Sequence, residues 1–316
     1  IRYLVRSRGL GDVYKRQLQA YGKILMIDIS IVLALTALLI YGLTQVLSKS
    51  VIGSVTAVSM VIINFMVTLP IYSVFLVGTL LFVDLGSIRL EYILYGLVGV
   101  CTARGGYYLY LDALEKGSVT MVSSITAAYP AITATLAIIL LGETISIIDI
   151  VGVTTIIASM VGLSFSHRYI SEGSVLPRSA LFLSIAVLLT WGIGGIFIKL
   201  SLNGIPLIAY LGLYPFILPP LTFTYLKRKK VAWKAFRLKW TVPVICAIMV
   251  AELWQLGYFG ETAAISQGYA SIVFPIISAY PIVTIIGANL LLKERVSGTD
   301  WMFLLFVIIG IMLISI

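Results

Sequence analysis

Ten long apolar runs divide this chain, and they decide what it can become. They fall near residues 27–47, 54–81, 91–111, 118–140, 145–165, 180–200, 205–226, 241–263, 269–292 and 299–316, with short polar breaks between them. Most approach the length of about 20 residues that a helix needs to cross the hydrocarbon core of a bilayer. Strands of a membrane barrel would be about half as long and would alternate apolar with polar side chains, and these runs do not alternate. A chain that is 60% apolar and 11% charged also lacks the polar surface of a soluble fold. The expectation is an all-α, polytopic membrane protein with ten transmembrane helices. Prolines inside the runs, such as Pro70, Pro130, Pro219, Pro220, Pro275 and Pro281, are tolerated in membrane helices whose freed backbone groups find partners nearby.

Residues 1–17, IRYLVRSRGLGDVYKRQ, have neither the apolar core nor the small-residue cleavage site of a signal peptide. The stretch is similar to translated sequencing-adapter sequence, so it is set apart from the fold. It carries Arg2, Arg6, Arg8, Lys15 and Arg16 against Asp12, which accounts for four units of the +9 formal charge. Two cysteines and one histidine exclude a disulfide framework and argue against structural zinc. Cys101 and Cys246 read as small apolar packing groups, and His167 is too isolated for a metal site. Neither a phosphate-binding glycine loop nor a nucleophile–base set appears. No cofactor is implied, and an enzyme is not expected.

The runs are duplicated. Shifted by 151 and without a gap, residues 106–149 align with 257–300 at 16 identities in 44 positions. The matched pairs include Gly106/Gly257, Tyr107/Tyr258, Tyr129/Tyr280, Pro130/Pro281, Glu143/Glu294 and Asp149/Asp300. A second echo pairs Tyr41-Gly42 and Lys49 with Trp191-Gly192 and Lys199 at an offset of 150. Two repeats of five spans follow, 18–170 and 171–316. Five is odd, so the second copy enters the membrane from the opposite side. Inverted repeats of this kind recur in secondary transporters, with a site near the midplane where the copies meet.

The ordered, duplicated motifs resemble the EamA-type transporters of the drug/metabolite transporter superfamily. They are Trp191-Gly192 with Lys199, Tyr107 with Ala113, the Tyr-Pro pairs at 129–130 and 280–281, and Leu-x-Glu ending at Glu143 and Glu294. The resemblance runs from about residue 27 to 316, and the first half departs from it with Tyr41 where the second has Trp191. It implies a ten-helix exporter or exchanger of amino acids, other small metabolites or drugs, and both termini in the cytoplasm. It does not name a substrate.

An ionisable residue inside a span marks a functional site by default. Arg104 lies in the third span and Glu252 in the eighth, and the repeat mate of Arg104 is Gln255. Near the midplane, Arg104 and Glu252 are expected to meet across the repeat interface. They would form either an ion bridge holding the halves together or a working pair. In the working pair Arg104 receives a substrate carboxylate through its forked guanidinium, and Glu252 carries a coupling proton. Asp112 and Glu261, near span ends, are expected to face water. Glu143 and Glu294 close their spans on opposite membrane faces, satisfied by solvent or helix ends. Tyr107, Trp191, Trp254, Tyr258, Tyr129 and Tyr280 are expected to line the cavity, with Pro130 and Pro281 bending their helices beside it.

The partners expected are a small-molecule substrate, the bilayer and a coupling proton. The rival functions are a sugar-phosphate or nucleotide-sugar exchanger, which calls for several basic cavity residues, and a lipid-modifying membrane enzyme, which calls for clustered acid, base or metal groups. The basic residues favour one face: Lys49, Lys116, Arg168, Arg178, Lys293, Arg295 and seven in 227–239, against Lys23, Arg89 and Lys199 on the other. Loops rich in Lys and Arg stay cytoplasmic, which puts both termini outside, contrary to the resemblance. The basic loop 227–239 reads as a topology signal, not a nucleic-acid surface. A cell membrane, plasma or inner, is the expected location.

Overall fold

A computed structural model describes residues 29–48, 51, 54–117, 122, 125–170, 177–233, 240–292 and 297–314. The adapter-like stretch, Lys49 and Glu294 lie outside these residues. The described chain is helical throughout. The helices are α1 (Ile29–Ser48), α2 (Ala57–Phe82), α3 (Leu90–Leu114), α4 (Tyr129–Leu141), α5 (Ile147–Ile170), α6 (Arg178–Leu202), α7 (Leu207–Leu211), α8 (Tyr214–Arg228), α9 (Val242–Gln267), α10 (Ala270–Ser278), α11 (Pro281–Leu292) and α12 (Gly298–Ile314).

Six stretches are long and apolar enough to cross a membrane: Ile29–Ser48, Ala57–Phe82, Arg178–Leu202, Leu207–Arg228, Val242–Gln267 and Ala270–Gly287. Shorter apolar helices run over Tyr129–Leu141, Ile147–Leu163 and Gly298–Ile314, and α3, which carries Arg104, belongs to neither group. The outer surface is apolar as well. On α2, Val74, Val77 and Leu81 share a face and are each more than half exposed. An apolar surface this continuous is unfavourable in water and ordinary in lipid. Cys101 belongs to that exposed surface instead of packing inside.

The duplicated prolines break their spans instead of bending them. The ninth span is two helices, α10 and α11, joined by a turn at Ala279–Tyr280, where the Tyr280 amide donates to the Ile277 carbonyl at 3.1 Å. Pro281 opens α11, and Pro130 stands in the first turn of α4. A first-turn residue has no intrahelical acceptor for its amide, so proline costs nothing there. The next helix start is duplicated too. Ser146 and Asp149 exchange backbone-to-side-chain hydrogen bonds of 2.8 and 3.1 Å, and Ser297 and Asp300 do the same at 3.0 and 3.1 Å. Each is a capping box that closes two free amides.

Contacts between the halves are reciprocal. A Cβ on Gly42 would strike Val283 and come within 2.9 Å of the Tyr280 carbonyl, and one on Gly192 would lie 2.8 Å from Ile132 and 3.2 Å from the Tyr129 carbonyl. Thr284 donates to the Gly42 carbonyl at 3.3 Å, and Thr133 to the Gly192 carbonyl at 2.8 Å. The Tyr41 ring lies over Gly257 as the Trp191 ring lies over Gly106. Each half therefore lays its first helix into the other's third and fourth spans, where glycine lets the backbones close up. Reciprocity of this kind is the mark of an approximate twofold axis.

Candidate functional site

Arg104 and Gln255 are repeat mates, and they touch. Arg104 Nη2 donates to Gln255 Oε1 at 2.5 Å, so both stand beside the axis relating the halves. Tyr72 also donates to Gln255 Oε1, at 3.1 Å, and Arg104 Nη1 donates to Asn64 Oδ1 at 3.3 Å. Three tyrosine rings surround the guanidinium, with centroids 5.9 Å (Tyr72), 5.0 Å (Tyr214) and 5.7 Å (Tyr258) from Cζ. Cation–π attraction of this kind gains weight when desolvated. Arg104 is 2% exposed and pairs with no carboxylate among the described residues. Among the described residues its Nε has no hydrogen-bond partner.

Between α1, α3, α4, α6, α9 and the α10–α11 break lies an open pocket, with about 750 Å³ of empty space when the solvent at its mouth is included. Its aromatic wall holds Tyr41, Tyr107, Tyr129, Trp191, Trp254, Tyr258, Phe274 and Tyr280, and its polar members include Gln45, Arg104 and Glu261. The rings brace one another. Trp254 is 5.0 Å from Tyr41 and 5.5 Å from Tyr107, and Trp191 is 5.6 Å from Tyr110 and 5.8 Å from Tyr129. Trp191 Nε1 donates to the Ala103 carbonyl at 3.2 Å, which fixes its ring in the wall.

The structure thus brings Arg104, Tyr107, Tyr129, Trp191, Trp254, Tyr258 and Tyr280 to one cavity. Gln255 sits behind Arg104, and Pro130 and Pro281 stand outside the lining, next to the tyrosines they follow. Glu252 is a correction. It is on the exposed face of α9 and does not meet Arg104. Nine residues at 3.6 per turn carry the chain through two and a half turns, so Glu261 faces the opposite way and into the cavity. There it is 8% exposed and accepts a 2.5 Å hydrogen bond from Tyr41, contrary to the water-facing position expected of it. A sequence signal existed: Trp254, Tyr258 and Glu261 recur at i, i+4 and i+7, one stripe of a helix. Asn64, Tyr72, Tyr210 and Tyr214 stand in spans with no repeat motif to mark them.

The two ends of the cavity differ. A second cavity shares Gln45, Tyr107 and Trp254 with the first and runs past Ser48, Thr56, Met60 and Leu114 to Glu115, at the end that carries the basic loops. At the other end Glu143 accepts from the amides of Ala270 (2.8 Å) and Ser271 (2.9 Å) and from Ser271 Oγ (2.6 Å), which caps α10. Lys199 Nζ donates to the carbonyls of Ile265 (2.9 Å) and Gly268 (2.7 Å) as α9 ends. Acid at a helix start and base at a helix end both complement the helix dipole. Helix-end contacts therefore satisfy Glu143.

Asp112 is also a correction, being 3% exposed. It pairs with Arg228, accepts from Tyr225 at 2.8 Å and meets Lys229 at 2.9 Å, while Lys229 reaches Glu115 at 2.8 Å. Burial opposes the charge on Lys229, but the two carboxylates outweigh it and raise its pKa above the ordinary lysine value. Among the described residues, no group of three or more His, Cys, Asp or Glu could hold a metal.

The helices thus gather an aromatic cavity at the contact of two duplicated halves. The chain belongs to the EamA-like transporter family, which matches residues 28–165 and again 178–316. Family members are transporters and not enzymes, and this chain is a multi-pass membrane protein of the drug/metabolite transporter type. A solved structure described as "Crystal structure of protein" is similar in fold, with a TM-score of 0.71 at 13% identity, covering 90% of this chain and 96% of the other. No curated protein matches the chain.

Proposed function

We propose that the protein is a secondary active transporter that exports small organic metabolites, such as amino acids or drug-like compounds, across a cell membrane. Residues 18–170 and 171–316 are its two inverted repeats of five spans, ten in all, and they rock about the shared site in alternating access. The single observation that carries this reading is the contact of the mates Arg104 and Gln255 beside the repeat axis, at the wall of the cavity. A group on that axis keeps its place when either repeat moves.

Arg104 then receives the carboxylate of the substrate, because its guanidinium has no carboxylate partner of its own. Tyr107, Tyr129, Trp191, Trp254, Tyr258 and Tyr280 bind the apolar body, with Gln255 holding Arg104 in place. Pro130 and Pro281 set the helix starts that aim Tyr129 and Tyr280. A wall of rings with few polar anchors suits organic solutes of modest size. A sugar phosphate would call for several cations, and among the described residues Arg104 is the one basic residue of the lining. Flux of radiolabelled amino acids, sugar phosphates and aromatic amines in proteoliposomes tests the proposal. Export of an organic solute that Arg104→Ala abolishes is expected, and no flux with any of these classes would overturn it.

A further inference from the structure

The hydrogen-bonding groups around Arg104 do not balance. Gln255 Oε1 accepts from Arg104 Nη2 at 2.5 Å and from Tyr72 at 3.1 Å. Asn64 Oδ1 accepts from Arg104 Nη1 at 3.3 Å and from Thr68 at 3.2 Å. An amide oxygen has two lone pairs, so both acceptors are fully used. What is left over is donors. Among the described residues, Arg104 Nε, Asn64 Nδ2 and the Tyr214 hydroxyl have no hydrogen-bond partner. Arg104 is nearly enclosed, and Asn64 and Tyr214 are completely buried. Buried polar atoms without a partner are few in folded proteins, and each calls for an explanation.

The charge does not balance either. Glu261 lines the same cavity, but its carboxyl accepts from Tyr41, and it forms no ion pair with Arg104 among the described residues. The repeat mate of Arg104 is the neutral Gln255, so the duplication supplies no opposite charge. A cation held in an apolar interior without a counter-charge is costly. Water can accept from the spare donors, but it brings donors of its own and no charge. An anion brings only lone pairs and cancels the positive charge.

Resting on the transport reading above, we infer that a small monovalent inorganic anion, chloride foremost, is the counter-ion of Arg104 between substrates, and that a substrate carboxylate displaces it one for one. The ion accepts from the guanidinium, with Asn64 and Tyr214 supplying the neighbouring donors. Arg104 belongs to the cavity lining, so both the ion and the carboxylate reach it from there. One negative charge leaves as another enters, and no covalent bond changes. Arg104 is therefore never left unmatched inside the membrane, whether the site is loaded or not.

The surroundings set the size of the ion. The rings of Tyr72, Tyr214 and Tyr258 stand 5.9, 5.0 and 5.7 Å from the guanidinium carbon. Rings this close leave the edge of the guanidinium to a small guest, and its N–H donors lie in its own plane. A halide or nitrate suits that place, and a bulky polar anion does not. Asn64 supplies a direct control. Its side chain already touches Nη1, so an aspartate there would be a built-in counter-ion.

The test uses the purified full chain in detergent. Thermal unfolding is followed as chloride, bromide or nitrate replaces isethionate, a bulky polar sulfonate, at constant ionic strength. A saturable rise in unfolding temperature is expected with the small anions, because each binds only the folded state. Calorimetric titration with 3-phenylpropionate, a carboxylate on an aromatic body, should give about tenfold weaker binding when chloride stands at about ten times its own dissociation constant. Asn64→Asp should abolish the chloride effect. Should that variant not fold, Tyr214→Phe carries the test: it removes one donor, keeps the ring and should weaken chloride about threefold to tenfold. Equal unfolding temperatures in chloride and isethionate would mean that water alone meets the donors, and would overturn the inference. So would a full chloride effect in Asn64→Asp, unchanged chloride affinity in Tyr214→Phe, or 3-phenylpropionate that does not bind or binds equally in both salts. Flux in proteoliposomes is scored separately. Solute flux without any chloride effect sinks the anion assignment alone, and a chloride effect without flux of any solute sinks the transport reading alone.

Discussion

The hydroxyl of Tyr41 donates to the carboxylate of Glu261 at 2.5 Å, across 220 positions of sequence. This bond joins α1 of one half to α9 of the other and explains why the first half carries tyrosine where the second carries tryptophan. An indole at position 41 offers its donor at a different place and leaves the acid unheld. Tyr41→Phe removes the donor and keeps the ring, so it should cost about 1–2 kcal/mol of stability. Thermal unfolding in detergent measures it, and a loss indistinguishable from zero would mean that the bond contributes nothing net.

Arg104 is held by Gln255 and Asn64, which a lysine cannot reach in the same forked geometry. Arg104→Lys should reduce transport about tenfold or more in spite of its retained charge. Gln255→Leu leaves the guanidinium and the Tyr72 hydroxyl without their shared acceptor and should destabilise the protein by about 1–3 kcal/mol. Flux in proteoliposomes checks the first and thermal unfolding the second; equal flux for Lys and Arg would show that only the charge matters.

The glycines at the crossings of the two halves should tolerate no side chain. Gly192→Ala places a methyl group 2.8 Å from the Ile132 Cβ, closer than carbon atoms pack, and overpacking of this kind costs about 1–3 kcal/mol. Ile132→Ala in the same chain opens the space and should recover part of the loss. A double-mutant cycle on unfolding temperature reads the coupling, which is absent if the clash is relieved elsewhere.

The Glu143 and Lys199 contacts tie the end of α9 to the start of α10, at the end of the bundle away from the basic loops. Glu143→Ala leaves the first amides of α10 uncapped and should cost about 0.5–2 kcal/mol. It should also open that end, so that a cysteine at Ile198 reacts faster with a thiol reagent applied from that side, in a background lacking Cys101 and Cys246. An unchanged labelling rate would mean that these contacts cap helices without closing the path.

Near the other end, Asp112 binds Arg228 and Lys229. The Lys229 pKa is raised in the folded protein, so the stability it contributes is fully present below the unfolded lysine value of about 10.4. It is lost as pH rises through the folded value. Unfolding temperature should be flat between pH 7 and about pH 10 on account of this group and fall above that. Asp112→Asn should lower stability by about 1–3 kcal/mol at pH 7, because the Tyr225 and Arg228 donors lose a charged acceptor. It should also shrink that alkaline step, since Glu115 remains beside Lys229, and a step of unchanged size in Asp112→Asn would assign it to another group.

Much of the plan was legible in the runs and their repetition. The offset of 151 paired position 104 with 255 and Tyr129 with Tyr280; the first two touch, and the two tyrosines line one cavity. The shared midplane also led toward Glu252 as the partner of Arg104, and that was the wrong face. In water the polar stripe of a helix points outward, and the pattern identifies the buried side. In a membrane both lipid and protein interior are apolar, so α9 carries little such contrast, and only the stripe of Trp254, Tyr258 and Glu261 marks its inward face. The proline turns were misjudged for a related reason: an unbroken apolar run does not register a two-residue interruption of its helix.

By itself, the sequence determined the helical class, the membrane as solvent and the twofold plan, because span length, apolar content and duplication are properties of the linear order. Only the tertiary structure decided that Glu261 and not Glu252 shares the cavity with Arg104, that Asp112 is buried in an ion cluster, and that the cavity adjoins a second one toward Glu115. Those facts depend on how each helix is turned about its own axis, and that rotation is set by glycine crossings and hydrogen bonds between residues far apart in the chain.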